Sequence, residues 1–207
     1  MKNRVLRAVL LGAAIGGLVL GATPAKAASL AWEDPKDDGV DNFQQPDAFE
    51  ITGVKVSNDG GTVKVEIDVP GLVAGAPTAS TGYTFRFEFF HAEREFRLQI
   101  NEHVLAAPKA NFGMYNASPI PTTILPCEKC EGKIDRAAKK VFLSAPVADL
   151  DKAFQSVGLP ATAGKEWSSL IGAALRPLTL PVTGTPSDGV RWEVDAAPAG
   201  EGVTLKF

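Results

Sequence analysis

The sequence has few of the side chains that usually carry chemistry. In 207 residues there are two cysteines, two histidines and two tyrosines. The G-x-S-x-G turn that exposes a nucleophilic serine and the H-E-x-x-H helix that holds zinc are both absent. Lysine and arginine form no cluster, and the formal charge is −3. Nucleic acid and anionic membrane surfaces are bound through concentrated positive charge, so neither is expected as a partner. Beyond Ala22 no apolar stretch approaches the ~20 residues that cross a bilayer as a helix, so no membrane span is expected there. There is no internal repeat. Gly (20) and Pro (15) exceed what a helical bundle tolerates, while a hydrophobic content of 45% argues against disorder.

What is present begins with an export signal. Lys2, Arg4 and Arg7 precede an uncharged apolar run from Ala8 to Ala22, and Ala25 and Ala27 occupy the two small-residue positions read by a signal peptidase. Residues 1–27 are expected to be a cleaved signal peptide. The apolar run is too short for a membrane anchor, and no cysteine at the junction offers a lipid attachment point. Loss of Lys2, Arg4, Arg7 and Lys26 takes the formal charge from −3 to −7. Residues 28–207 are expected to form one secreted or envelope domain, long enough to bury a sizeable core without several disulfides.

Period-2 alternation dominates that part. A run from Phe49 to Val56 leads into Ser57-Asn58-Asp59-Gly60-Gly61, after which Val63, Val65, Ile67 and Val69 alternate with charges; this predicts a hairpin. Tyr83, Phe85, Phe87 and Phe89 alternate with Thr84, Arg86 and Glu88, and Phe96, Leu98 and Ile100 with Arg97 and Gln99. The aromatic stripe reads as core, with Arg86 and Glu88 on a solvated face. Residues 101–132 are the least regular part. Lys139–Ser144 reads as a strand, and Val147–Phe154 as two helical turns packing down Val147, Leu150 and Phe154. Leu170–Leu180 is apolar and ambiguous. Gly189–Val194 and Val203–Phe207 read as closing strands. Eight to ten strands with one short helix predict a mainly all-β fold, a two-sheet antiparallel β-sandwich.

Three features carry candidate chemistry. The first is the acidic run Asp34-Pro35-Lys36-Asp37-Asp38-Gly39-Val40-Asp41, followed by Asp47. Clustered carboxylates on a pliable backbone suit calcium, though the spacing is not that of an EF-hand; a solvated acidic loop is the plainer reading. The second is Cys127-Glu128-Lys129-Cys130. A redox pair needs its first cysteine at a helix N-terminus, and zinc needs two further ligands, for which only His91 and His103 are on offer. A small disulfide between Cys127 and Cys130 is the expectation for an exported protein. The third is the set of acid pairs Glu88 with Glu93 and Asp149 with Asp151, a number of pairs expected by chance among 24 acids. Both histidines read as surface or internally satisfied residues.

The stretch from Trp32 to Val69 resembles the opening of bacterial exported β-sandwich modules related to DOMON-type domains and family 9 carbohydrate-binding modules. Asp34-Pro35-Lys36-Asp37-Asp38, Pro46-Asp47, Ile51-Thr52-Gly53-Val54 and the Asn58-Asp59-Gly60-Gly61 turn carry the resemblance, with Asp37 standing where that pattern has Gly; Asp195-Ala196-Ala197 is similar to its closing strand. The resemblance implies chain ends that meet and share a calcium ion, with Asp34, Asp38, Asp47 and Asp195 as ligands. It also implies a non-catalytic module that binds an extracellular glycan. An envelope protein as partner, or a hydrolase with an unrecognised site, are the alternatives.

Overall fold

A computed structural model describes residues 28–35, 50–59, 61–72, 83–103, 106–115, 123–179 and 186–207. The expected signal peptide and most of the acidic run lie outside the described residues. The elements, in chain order, are β1 (Ala28–Glu33), β2 (Gly53–Asn58), β3 (Thr62–Asp68), β4 (Tyr83–His91), β5 (Arg94–His103) and β6 (Ala106–Met114). They continue with β7 (Thr123–Leu125), β8 (Glu131–Asp135), β9 (Lys140–Pro146), α1 (Val147–Ser156), β10 (Glu166–Thr179), β11 (Pro186–Pro198) and β12 (Leu205–Lys206). One sheet has the order β1-β2-β3-β9-β8. The other runs β11-β10-β4-β5-β6-β7, with β12 added along β10. All pairings are antiparallel, and the two sheets make the expected sandwich.

The alternation read from the sequence sets both hairpins. In β2–β3, Val56 lies opposite Val65 and Val54 opposite Ile67, all buried. The turn closes with the Asp59 amide donating to the Thr62 carbonyl at 3.3 Å. In β4–β5, Phe85 faces Ile100, Phe87 faces Leu98 and Phe89 faces Phe96. Their connection is the two-residue loop Ala92-Glu93, with φ of 48° and 62°. These are left-handed values that hairpin twist demands and that L side chains adopt at a cost.

The seven-stranded sheet supplies most of the aromatic core. Trp167 lies flat on Phe89, with centroids 3.7 Å apart, and Phe96 stacks on Phe112 at 5.6 Å. Helix α1 caps this end with Leu150, Ala153 and Phe154 buried. Each fully buried side chain of this size is worth about 1.5–3 kcal/mol. Glycine allows the closest approach of the layers: a Cβ on Gly172 would lie 2.5 Å from Val54 Cγ2, and one on Gly132 would lie 2.9 Å from Ile100 Cδ1.

Four departures from the sequence reading have physical reasons. Residues 101–132 hold β6, β7 and the start of β8, hidden because Ala110 and Gly113 dilute the alternation. The ambiguous apolar segment belongs to the 14-residue strand β10, whose period is broken by register shifts at Ala174/Leu175 and Pro177/Thr179. Strand β1 begins at Ala28, before the acidic run, and pairs with β2 along its whole length. The final strand is only Leu205–Lys206, because β10 pairs with it at Glu166 and Trp167 alone.

Candidate functional site

The two cysteines are joined as a disulfide, Cys127–Cys130. It closes the turn between β7 and β8, where the chain leaves the seven-stranded sheet for the five-stranded one. The Lys129 amide inside the loop donates to Asp149 Oδ2 at 3.0 Å, fixing the loop to the first turn of α1. Asp151, the other member of that acid pair, accepts at 2.7 and 2.8 Å from the Thr162 amide and hydroxyl. His91 is fully buried. Its Nε2 lies 2.7 Å from the Pro160 carbonyl, which can only accept, so Nε2 carries the proton. Its ring stacks on Phe154 with centroids 4.2 Å apart. Asp149 and Asp151 thus hold backbone amides, and His91, expected to be a surface or internally satisfied residue, is buried and satisfied at Nε2 while its Nδ1 has no hydrogen-bond partner.

Of the expected calcium ligands, Asp34 and Asp195 are described, and Asp38 and Asp47 lie outside the described residues. Asp195 is buried (1% exposed) on β11. Its Oδ2 accepts the Ile51 amide at 2.6 Å, and its Oδ1 accepts the Ala196 amide at 2.9 Å. Nearby, Trp32 Nε1 donates to the Ala197 carbonyl at 2.9 Å. Asp34 follows β1, and its amide donates to the Thr52 carbonyl at 3.1 Å. The two chain regions therefore meet here. Among the described residues no group of three or more His, Cys, Asp or Glu side chains comes together at metal-binding range.

The outer face of the seven-stranded sheet holds a constellation the sequence reading did not single out. On β4 it carries Thr84, Arg86, Glu88 and Phe90; on β5 Glu95, Arg97, Gln99 and Asn101; on β6 Asn111, Gly113 and then Tyr115. Arg86 and Glu88 were expected on a solvated face. They do lie opposite the aromatics, but their side chains are only 12% and 7% exposed. Thr84, Gln99 and Ala173 on the same face are also buried. One cause is Tyr115, which folds back over the two charges. Its hydroxyl donates to Glu88 Oε1 at 2.8 Å, and its ring lies 5.7 Å from the Arg86 guanidinium carbon and 5.1 Å from that of Arg97. Arg86 and Glu88 form an ion pair. Burial pushes the Tyr115 phenol up from 10 to about 12, against the opposing pull of Arg86.

Amide and hydroxyl groups extend this cluster. Thr84 Oγ1 and Gln99 Nε2 donate to Asn101 Oδ1 at 2.8 and 3.3 Å. On this face Arg97 Nε and Asn111 Oδ1 are buried without a hydrogen-bond partner, as are Asn58 Oδ1, His91 Nδ1 and Trp167 Nε1 elsewhere among the described residues. The two exposed large hydrophobic side chains among the described residues, Phe90 (37%) and Ile124 (58%), lie on this same face. Trp32 and Trp167 are buried and supply no stacking surface. Alternating polar residues at 97, 99, 101 and 111 were the available signal. It was hidden because any solvated strand face looks the same.

The outer face of the five-stranded sheet is different. A groove of about 440 Å³ is lined by Lys55, Lys64, Glu66, Lys133 and Phe142. Its charges are largely matched laterally: Lys64 pairs with Asp59, Lys133 with Asp135 at 2.6 Å, and Lys140 with both Glu66 and Asp68. Hydrogen bonds donated to Asp68 and Glu66 hold the Lys140 ammonium above its usual range, and Lys133 holds Asp135 below the usual carboxylate range. This is a solvated charge ladder. Among the described residues no helix is long and apolar enough to cross a membrane. Comparison with protein-family models, with curated proteins and with solved structures found no match to this chain.

Proposed function

We propose that the protein is an exported, non-catalytic binding module that receives a glycan of the cell exterior or envelope on the outer face of its seven-stranded sheet. One observation carries this reading: Arg86, Glu88, Arg97, Gln99, Asn101 and Tyr115 gather planar polar side chains at the centre of that face, between the exposed Phe90 and Ile124. Amide, guanidinium and carboxylate groups beside an apolar surface match the hydroxyls and ring faces of a sugar. The disulfide fits an oxidising compartment.

The test is retention of the labelled protein on a glycan array and on insoluble wall polysaccharide, beside Asn111→Ala and Phe90→Ser. Retention that both substitutions weaken supports the reading. No retention on any glycan discards it in favour of a protein-interaction module.

Calcium belongs to the proposal on a narrower footing. The described residues alone do not make a calcium site, since the Asp195 carboxylate is already held by two amides. Asp34 and Asp195 would bind the ion only together with Asp38 and Asp47. Thermal midpoints measured with EDTA and with millimolar calcium decide it: a rise with calcium that Asp38→Ala removes supports the site, and an unchanged midpoint eliminates it.

A further inference from the structure

We infer that β1 is a docking edge for a second copy of this chain, and that two copies pair their β1 strands antiparallel about a two-fold axis at Ala31. Strand β1 is the outermost strand of the five-stranded sheet, and among the described residues nothing pairs with its outer side. An open edge presents a row of amides and carbonyls to any extended chain, and folded proteins blunt such edges with charge, proline, bulges or brevity. Three of the four edge strands here are blunted. β7 has three residues, β8 carries the exposed Glu131 and Lys133, and β11 runs between two prolines and shifts register twice against β10. β1 differs: Ala28–Glu33 pairs with β2 without a break, and its one charge is the last residue, Glu33.

Its geometry selects a second copy as the occupant. The Asp34 amide donates to the Thr52 carbonyl, so two and four residues back Trp32 and Leu30 also turn their backbone groups to β2. Ser29, Ala31 and Glu33 turn theirs outward, and all three side chains are exposed. Outward residues pair only with outward residues, and a two-fold axis at Ala31 sets Ser29 opposite the partner's Glu33, twice. A hydroxyl then meets a carboxylate at both ends, two methyl groups meet at the axis, and no like charges are opposed. On the inner side this register sets the half-buried Leu30 opposite the partner's Trp32. Trp32 is anchored through its Nε1 to the Ala197 carbonyl at 2.9 Å, so the edge is ordered before it docks, which lowers the entropy lost on binding.

Sedimentation equilibrium of the exported protein across a concentration series tests this. A six-residue strand pair is a small interface, so a reversible dimer with a Kd of about 1–100 µM is expected. Ala31→Glu sets a carboxylate opposite Lys55 within each copy but opposes two carboxylates across the axis. It is expected to raise Kd roughly tenfold or more while leaving the thermal midpoint of the dilute protein unchanged. Ser29→Lys sets an ammonium opposite the partner's Glu33 at both ends and is expected to lower Kd about three- to tenfold, and Ser29→Glu to raise it as much. Opposite shifts at one position read the register rather than the stability of the fold. A monomer at up to ~1 mM overturns the inference and leaves the edge to a strand of another protein. A dimer indifferent to Ala31→Glu and Ser29→Lys overturns it as well, because it forms elsewhere. Neither result touches the glycan-binding reading, which uses the other sheet.

Discussion

Asp195 accepts the backbone amide of Ile51 at 2.6 Å across 144 residues of sequence, joining the strand that closes the seven-stranded sheet to the segment that leads into β2. Both carboxylate oxygens take amide hydrogens, and the side chain is buried. Asp195→Asn keeps the shape but turns a donor toward a donor. The expected loss is about 2–3 kcal/mol, of the order found for hydrogen bonds to a buried charge. Chemical denaturation of the two proteins measures it, and a change below ~0.5 kcal/mol would show that this contact does not anchor the chain ends.

Gly172 meets Val54 where the sheets come closest, leaving no room for a Cβ. Gly172→Ala is expected to cost about 1–3 kcal/mol by overpacking. Gly172→Ala combined with Val54→Ala should recover part of it, and a double-mutant cycle reads the coupling.

Glu93 holds a φ of 62° in the β4–β5 loop. Glycine reaches that region without steric penalty, so Glu93→Gly is expected to stabilise by about 0.5–1 kcal/mol. A thermal midpoint raised by a few degrees is the readout; an unchanged or lower one would show that the loop is not strained.

Tyr115 ionises at about 12 in the folded protein, against an ordinary value of 10. The stability this contributes is complete below about pH 10 and is lost as pH rises through 12. In an ultraviolet titration, Tyr115→Phe should delete a late tyrosinate step while the signal of Tyr83, the other tyrosine, remains. Loss of an early step instead would contradict the buried phenol.

Cys127–Cys130 closes only a four-residue loop. Its removal as Cys127→Ser/Cys130→Ser is expected to cost no more than about 2 kcal/mol by chain entropy. Amide exchange should quicken around residues 123–135 and stay unchanged in β4 and β5. A global loss of structure would mean the bridge holds more than the turn between the sheets.

The hairpins and the aromatic core were legible because each strand of β2–β5 is buried on one face and polar on the other, which is what period-2 alternation encodes. Strand β6 was not, since Ala110 and Gly113 give no contrast between faces. The disulfide was legible from spacing and expected compartment together. The cluster of Arg86, Glu88, Arg97 and Tyr115 was not, because it is made by register. Glu88 lies opposite Arg97 and Arg86 opposite Gln99 only once β4 and β5 are aligned, and Tyr115 arrives from a third strand. Asp195 was picked out as a ligand for an ion, and its carboxylate also accepts two backbone amides. A sequence marks where a carboxylate is, not which donors the fold will bring to it.

The contacts of Trp32 with Ala197 and of Ile51 with Asp195 also set an order of events. A ribosome delivers residues 28–58 early, and the β2–β3 and β4–β5 hairpins need only near neighbours. The first edge of the sandwich, by contrast, cannot be sealed until residue 197 has been synthesised. For nearly the whole of its synthesis the chain therefore lacks the two bonds that join these distant segments.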